Sequence, residues 1–102
     1  MKYNKLIRDK IPEIIKKSGL KSVTHIADDK EYKQKLRAKL QEEVDEFLEE
    51  SNEEELADIL EVINALCDLY KFDKNNVEQI RKEKAEKRGS FQERIILEET
   101  KK

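Results

Sequence analysis

The sequence predicts an all-α fold of about four helices, one domain over residues 1–102, built on an antiparallel central helix pair and completed by oligomerisation. Three observations predict it. Apolar residues recur at three- and four-residue spacing through the middle of the chain. The glycines and the single proline stand at predicted helix ends rather than inside them. The chain is 45% charged and 36% hydrophobic, which gives amphipathic helices a thin core, and a monomer of this size buries only part of its surface.

Pro12 suits a first helical turn, with Ile11, Ile14 and Ile15 on one side, and Ser18-Gly19 closes that helix. Residues 20–27, LKSVTHIA, lack a helical period, and Val23, Thr24 and Ile26 favour a short extended segment. Asp28 or Asp29 caps a long helix to about residue 50, striped by Leu36, Leu40, Val44, Phe47 and Leu48. Ser51 or Asn52 caps the next helix, which runs to about Tyr70 and carries a wide apolar arc. The brief connection makes the two long helices antiparallel neighbours, and the width of the arc predicts a central position or a subunit partner. Asp73 caps a further helix to Gly89, with Phe72 and Val77 as a hydrophobic staple. The tail offers a second extended piece around residues 94–97, a pairing partner for residues 22–26.

The net charge of −2 hides an uneven distribution. Residues 1–40 carry twelve Lys/Arg and five Asp/Glu; residues 41–70 carry twelve acids and no base; residues 71–102 carry ten bases and seven acids. An acidic middle between two basic arms points to attraction within the fold or to a ligand of mixed charge. Stable nucleic-acid binding is not expected, because it rests on net phosphate neutralisation. The aromatic residues are too few and too scattered to form stacking platforms. No apolar run is long enough for a bilayer, no signal-peptide pattern opens the chain, and the lone Cys67 excludes an intrachain disulfide. The expectation is a cytoplasmic protein without a membrane partner. Cys67, in an apolar run, reads as a small buried hydrophobe, and His25, far from any other His or Cys, as a surface or structural residue.

The acids take definite places on the helices. At about 100° per residue, Glu43 falls beside the apolar stripe of its helix, with Glu46 one turn on. Glu55 projects into the arc of the next helix, among Ile59, Val62 and Leu66, with Asp58 at its edge. The two i, i+3 pairs can converge at the helix seam. Carboxylates so close raise one another's pKa, and the remedies are a shared proton, a salt-bridging base or a metal. A base would have to come from outside residues 40–70. All-oxygen ligation favours Mg²⁺, or Mn²⁺, and helical bundles build carboxylate metal sites from i, i+3 pairs. Against this stands the plain alternative of solvated surface acids, with Glu55 closing a capping box.

The motif EExxE at Glu42, Glu43 and Glu46, followed by ExxD at Glu55 and Asp58 within EELADILEVINAL, resembles the all-alpha nucleoside triphosphate pyrophosphohydrolase (MazG-like) superfamily. The end segments YNKLIRDKIPEII and KRGSFQERIIL look like those of its small phosphoribosyl-ATP pyrophosphohydrolase-like, house-cleaning branch, so the resemblance covers nearly the whole chain. It implies a helical, usually oligomeric fold and a Mg²⁺-dependent hydrolase that splits a nucleotide between its α- and β-phosphates. Carried onto this chain, it implies Glu43, Glu46, Glu55 and Asp58 as metal ligands, with Glu42 behind them or orienting a water. The eight residues between Glu46 and Glu55 are fewer than in many members, and Ser90 stands where a second glycine or another small residue is expected, small enough to keep the turn.

A triphosphate would be repelled by a wholly acidic pocket, so Lys5, Arg8, Lys10, Lys87 and Arg88 are the candidate phosphate contacts, arginine being suited to bidentate contact. Each group has a plainer role as well: Lys87 and Arg88 suit the last turn of a helix, and Arg8 can pair with Asp9. The rival to a hydrolase is a non-catalytic helical module whose acidic hairpin binds a basic protein. An acid inside the apolar arc, Glu55, is what a metal site needs and a binding surface does not.

Overall fold

The computed structural model describes residues 4–102, and its regular structure is four helices: α1 (Ile11–Lys17), α2 (Asp29–Glu49), α3 (Glu53–Tyr70) and α4 (Lys74–Arg88). The chain divides into two compact units, Met1–Tyr70 and Lys71–Lys102. The first holds α1, α2 and α3, and the second holds α4 and the tail. No described helix is long and apolar enough to cross a membrane.

Local chemistry explains the helix ends. Pro12 lies in the first turn of α1, where its missing N–H costs nothing. Gly19, at φ +91°, takes the left-handed turn beyond the C-cap Ser18. Asp28 caps α2 by accepting from Glu31 N at 2.8 Å. At the α2–α3 junction the two candidate caps divide the work. Ser51 Oγ donates back to Phe47 O at 2.7 Å, closing α2, while Asn52 Oδ1 accepts from Glu55 N at 2.9 Å, opening α3. In the second unit Asp73 accepts from Asn75 N and Asn76 N, and Gly89, at φ +83°, ends α4.

In the first unit α2 and α3 pack on each other. Among the described residues the buried apolar side chains are Leu36 of α2 and Val62 and Cys67 of α3. Cys67 thus sits in the core as a small hydrophobe. The α3 arc is only partly covered: Leu56, Leu60 and Ile63, spaced four and three residues apart, remain exposed.

The two segments expected to be extended form no strand. Val23 is 102% exposed and Ile26 96%, and Ile95, Ile96 and Leu97 are exposed in the second unit. β-Branched residues favour a strand only where a pleated, half-buried surface receives them, and these side chains meet water instead. His25 lies on the surface, its Nε2 2.8 Å from Glu31 Oε1.

Candidate metal centre

The fourth buried residue of the described chain is a carboxylate, Glu43, 7% exposed. Its position follows from helix geometry. Glu43 lies seven residues after the buried Leu36, two turns on and nearly on the same face. On α3, Glu55 lies seven residues before the buried Val62, by the same rule. Each helix therefore carries an acid in line with its own core residue. Asp58 is three residues after Glu55, one turn along the same side.

Glu43, Glu55 and Asp58 offer carboxylate oxygens that all lie within 4.8 Å of one another. Oε2 of Glu43 and Oε2 of Glu55 are both buried without a hydrogen-bond partner. The capping role that would account for Glu55 is not made: the backbone N–H of Asn52, which a capping box would satisfy with that carboxylate, donates to Glu50 O at 3.1 Å.

Two cations temper the cluster. Lys39 Nζ lies 3.4 Å from Glu43 Oε1 and 3.5 Å from Glu42 Oε2, on one turn of α2. Arg8 Nη2 donates to Asp58 Oδ1 at 2.8 Å. Burial still pushes the Glu43 carboxyl above its ordinary range, and the facing Glu46 carboxylate pushes it further, while Lys39 opposes both. The approach of Glu46 is a hydrogen bond only when one of the two acids holds a proton, since two ionised carboxylates have none to share.

The donor set fits a hard divalent cation. All its atoms are carboxylate oxygens, and oxygens on opposite sides of one ion stand about 4–5 Å apart, twice a bond of roughly 2.0–2.6 Å. Two desolvated oxygens with no donor are what such an ion would satisfy.

The sequence-derived candidates take different places around this group. Glu43, Glu55 and Asp58 come together. Glu46 is exposed and stands outside the three, bearing on Glu43. Glu42 turns to Lys39. Arg8 reaches the cluster by pairing with Asp58 rather than with its neighbour Asp9. Lys5 and Lys10 are exposed on the same N-terminal segment, Lys10 at the N-cap position of α1. Lys87 and Arg88 occupy the last turn of α4, in the second unit, where they complement the helix dipole. Sequence reasoning missed Lys39, which stands just before the base-free stretch; its i, i+4 spacing to Glu43 was the available signal.

Compared with models of known protein families, with curated proteins and with solved structures, the chain matches none.

Proposed function

We propose that this protein is a Mg²⁺-dependent nucleotide pyrophosphohydrolase that splits the α–β phosphoanhydride to give a nucleoside monophosphate and pyrophosphate. The observation that carries the reading is Glu43, a buried carboxylate with one oxygen unpartnered, facing Glu55 and Asp58 from the neighbouring helix. The order of the acidic motifs, resembling that of the all-alpha pyrophosphohydrolases, supplies the reaction class. A helical hairpin in which α2 and α3 run antiparallel accounts for the convergence. The exposed arc at Leu56, Leu60 and Ile63 supports a homodimer or larger assembly.

In this reading Glu43, Glu55 and Asp58 hold the cation, with Glu46 beside them. When bound, the ion supplies neutralisation of phosphate oxygens and a lowered pKa for an adjacent water. Glu46, exposed and next to Glu43, receives the proton that the attacking water gives up, and Glu42 orients that water. The water oxygen bonds to one phosphorus as the bridging P–O bond breaks, and the bridging oxygen leaves with the other phosphorus. Arg8, with Lys5 and Lys10 on the same segment, meets the anionic phosphates. Removal of noncanonical nucleotides is the role that fits a small enzyme of this kind.

The test is product release from a panel of canonical and modified nucleoside triphosphates with Mg²⁺ or Mn²⁺, beside a Glu46→Gln/Asp58→Asn double variant. The reading expects turnover of at least one nucleotide by the wild type, abolished by EDTA and by the double change. Absence of turnover across the panel at high enzyme would leave the acidic hairpin as a protein-binding surface.

A further inference from the structure

Two basic side chains meet the acids of the candidate centre, and each takes one oxygen. Lys39 Nζ lies 3.4 Å from Oε1 of Glu43, whose side chain is 9% exposed and whose other oxygen, Oε2, is buried without a hydrogen-bond partner. Arg8 Nη2 donates to Oδ1 of Asp58 at 2.8 Å, a contact of one nitrogen with one oxygen. The segment that brings Arg8 there has further holds. Lys35 Nζ donates to Asn4 O at 2.7 Å, and Leu6 and Ile7, next in sequence to Arg8, are half-buried. The group that binding partners of an acid's second oxygen tune is the metal site itself. Dications differ in what they ask of such an acid. Mg²⁺ demands a near-ideal octahedron and keeps several waters, whereas Ca²⁺ takes more oxygens in a looser shell and accepts both oxygens of one carboxylate.

We infer that Arg8 is a specificity-determining residue of the metal centre: by holding Oδ1 of Asp58 it leaves that acid a single oxygen for the cation, which favours Mg²⁺ over Ca²⁺. The inference rests on the metal-site reading above. A cation on Oδ2 does not displace the guanidinium, because the two occupy different oxygens. Held in this way, Asp58 cannot clasp an ion with both oxygens. Ca²⁺ thereby loses a ligand that Mg²⁺ does not need. The remaining N–H donors of the guanidinium stay available for the phosphate contact proposed above for Arg8.

The experiment is displacement of bound Mn²⁺ by Mg²⁺ and by Ca²⁺, followed through the electron paramagnetic resonance signal of free Mn²⁺ on the full chain. Arg8→Ala removes the donors, and Arg8→Lys keeps the charge and a donor. Loss of a nearby positive charge strengthens the binding of both dications alike, so the quantity read is the ratio of the Ca²⁺ to the Mg²⁺ dissociation constant. The wild type is expected to bind Mg²⁺ more tightly than Ca²⁺. In Arg8→Ala the ratio is expected to fall by about three- to tenfold, the size of one net polar contact, and Arg8→Lys is expected to restore it. The Arg8 side chain is 58% accessible, so Arg8→Ala is expected to fold, and a thermal melt checks this. A measurement on the wild type stands beside the variants. In protein labelled with ¹⁵N-arginine, the Arg8 guanidinium resonance, assigned by its absence from Arg8→Lys, is expected to keep its hindered rotation when Mg²⁺ saturates the site. A ratio unchanged in Arg8→Ala, or falling equally in Arg8→Lys, overturns the proposal. So does free guanidinium rotation in the Mg²⁺-bound wild type, or a wild type that binds Ca²⁺ at least as tightly as Mg²⁺. Absence of Mn²⁺ binding by the wild type would instead overturn the metal-site reading itself, and the role of Arg8 with it.

Discussion

Glu43 of α2 and Glu55 of α3 each bury one carboxylate oxygen, Oε2, without a hydrogen-bond donor, and both acids share a group of ligand atoms spanning no more than 4.8 Å. A fold does not gain stability this way. A buried polar atom left unsatisfied costs about 1–3 kcal/mol, and like charges held together add repulsion. The arrangement is accounted for if the two oxygens are kept for a cation that satisfies both.

Glu43→Gln keeps the shape of the side chain and removes its charge, and its amide can donate to the Glu46 or Glu55 carboxylate. At neutral pH this variant is expected to be more stable by on the order of 1 kcal/mol, raising the melting midpoint by about 5 °C. The pH dependence has a definite sign. The Glu43 carboxyl is raised in the fold, by burial first and by Glu46 second, so the folded chain holds its proton more tightly than the unfolded one. Wild-type stability from this group is full below the ordinary glutamate pKa and is lost as pH rises through the raised folded value. The advantage of the variant should vanish in acid and grow through that window. Melts of both proteins in EDTA across pH read it directly.

Ion binding should reverse the penalty. With free Mg²⁺ or Mn²⁺ at about a hundred times its Kd, the wild type is expected to gain about 2.7 kcal/mol, seen as a higher midpoint and lost on adding EDTA. Glu55→Gln and Asp58→Asn should each remove most of the gain. A midpoint indifferent to the metal in all three proteins would contradict the site.

The thin core makes single apolar residues costly. Leu36 is 2% exposed, and Leu36→Ala is expected to destabilise the first unit by about 2–5 kcal/mol, enough to unfold much of it at room temperature. Leu48→Ala, at a position 72% exposed on the same helix, should stay within about 0.5 kcal/mol of wild type. Urea denaturation of the two variants separates buried from merely apolar positions.

The caps can be tested in each unit. Asp28→Ala removes the acceptor for Glu31 N, and Asp73→Ala removes the acceptor for Asn75 N and Asn76 N. Each is expected to cost about 1 kcal/mol of helix stability, read as lost helicity or a lowered midpoint by circular dichroism.

What could be read from the sequence was local. The starts and stops of the helices were legible because Asp28, Asn52, Asp73, Pro12, Gly19 and Gly89 act on neighbours within one turn. The convergence of Glu43, Glu55 and Asp58 was legible from the helical period, but the same reading placed Glu46 with them, and Glu46 lies outside the three. The depth of the group was not legible. Glu43 was expected beside the stripe and is one of four buried residues among those described, because burial depends on what the neighbouring helix covers. The Arg8–Asp58 pair joins residues fifty positions apart, and no periodic signal spans that distance. The segments expected to be extended form no paired strand, for a related reason. Val23, Ile26, Ile95 and Ile96 have strand-forming side chains, but propensity alone supplies no partner edge.

The most direct test of the central claim is ³¹P NMR of a nucleoside triphosphate incubated with the protein and Mg²⁺, using the nucleotide turned over fastest in the panel. The three phosphate resonances are expected to give way to those of a monophosphate and of pyrophosphate, in equal amounts, and EDTA is expected to stop the change. A diphosphate with inorganic phosphate would contradict cleavage at the α–β bond, and an unchanged spectrum would contradict the hydrolase.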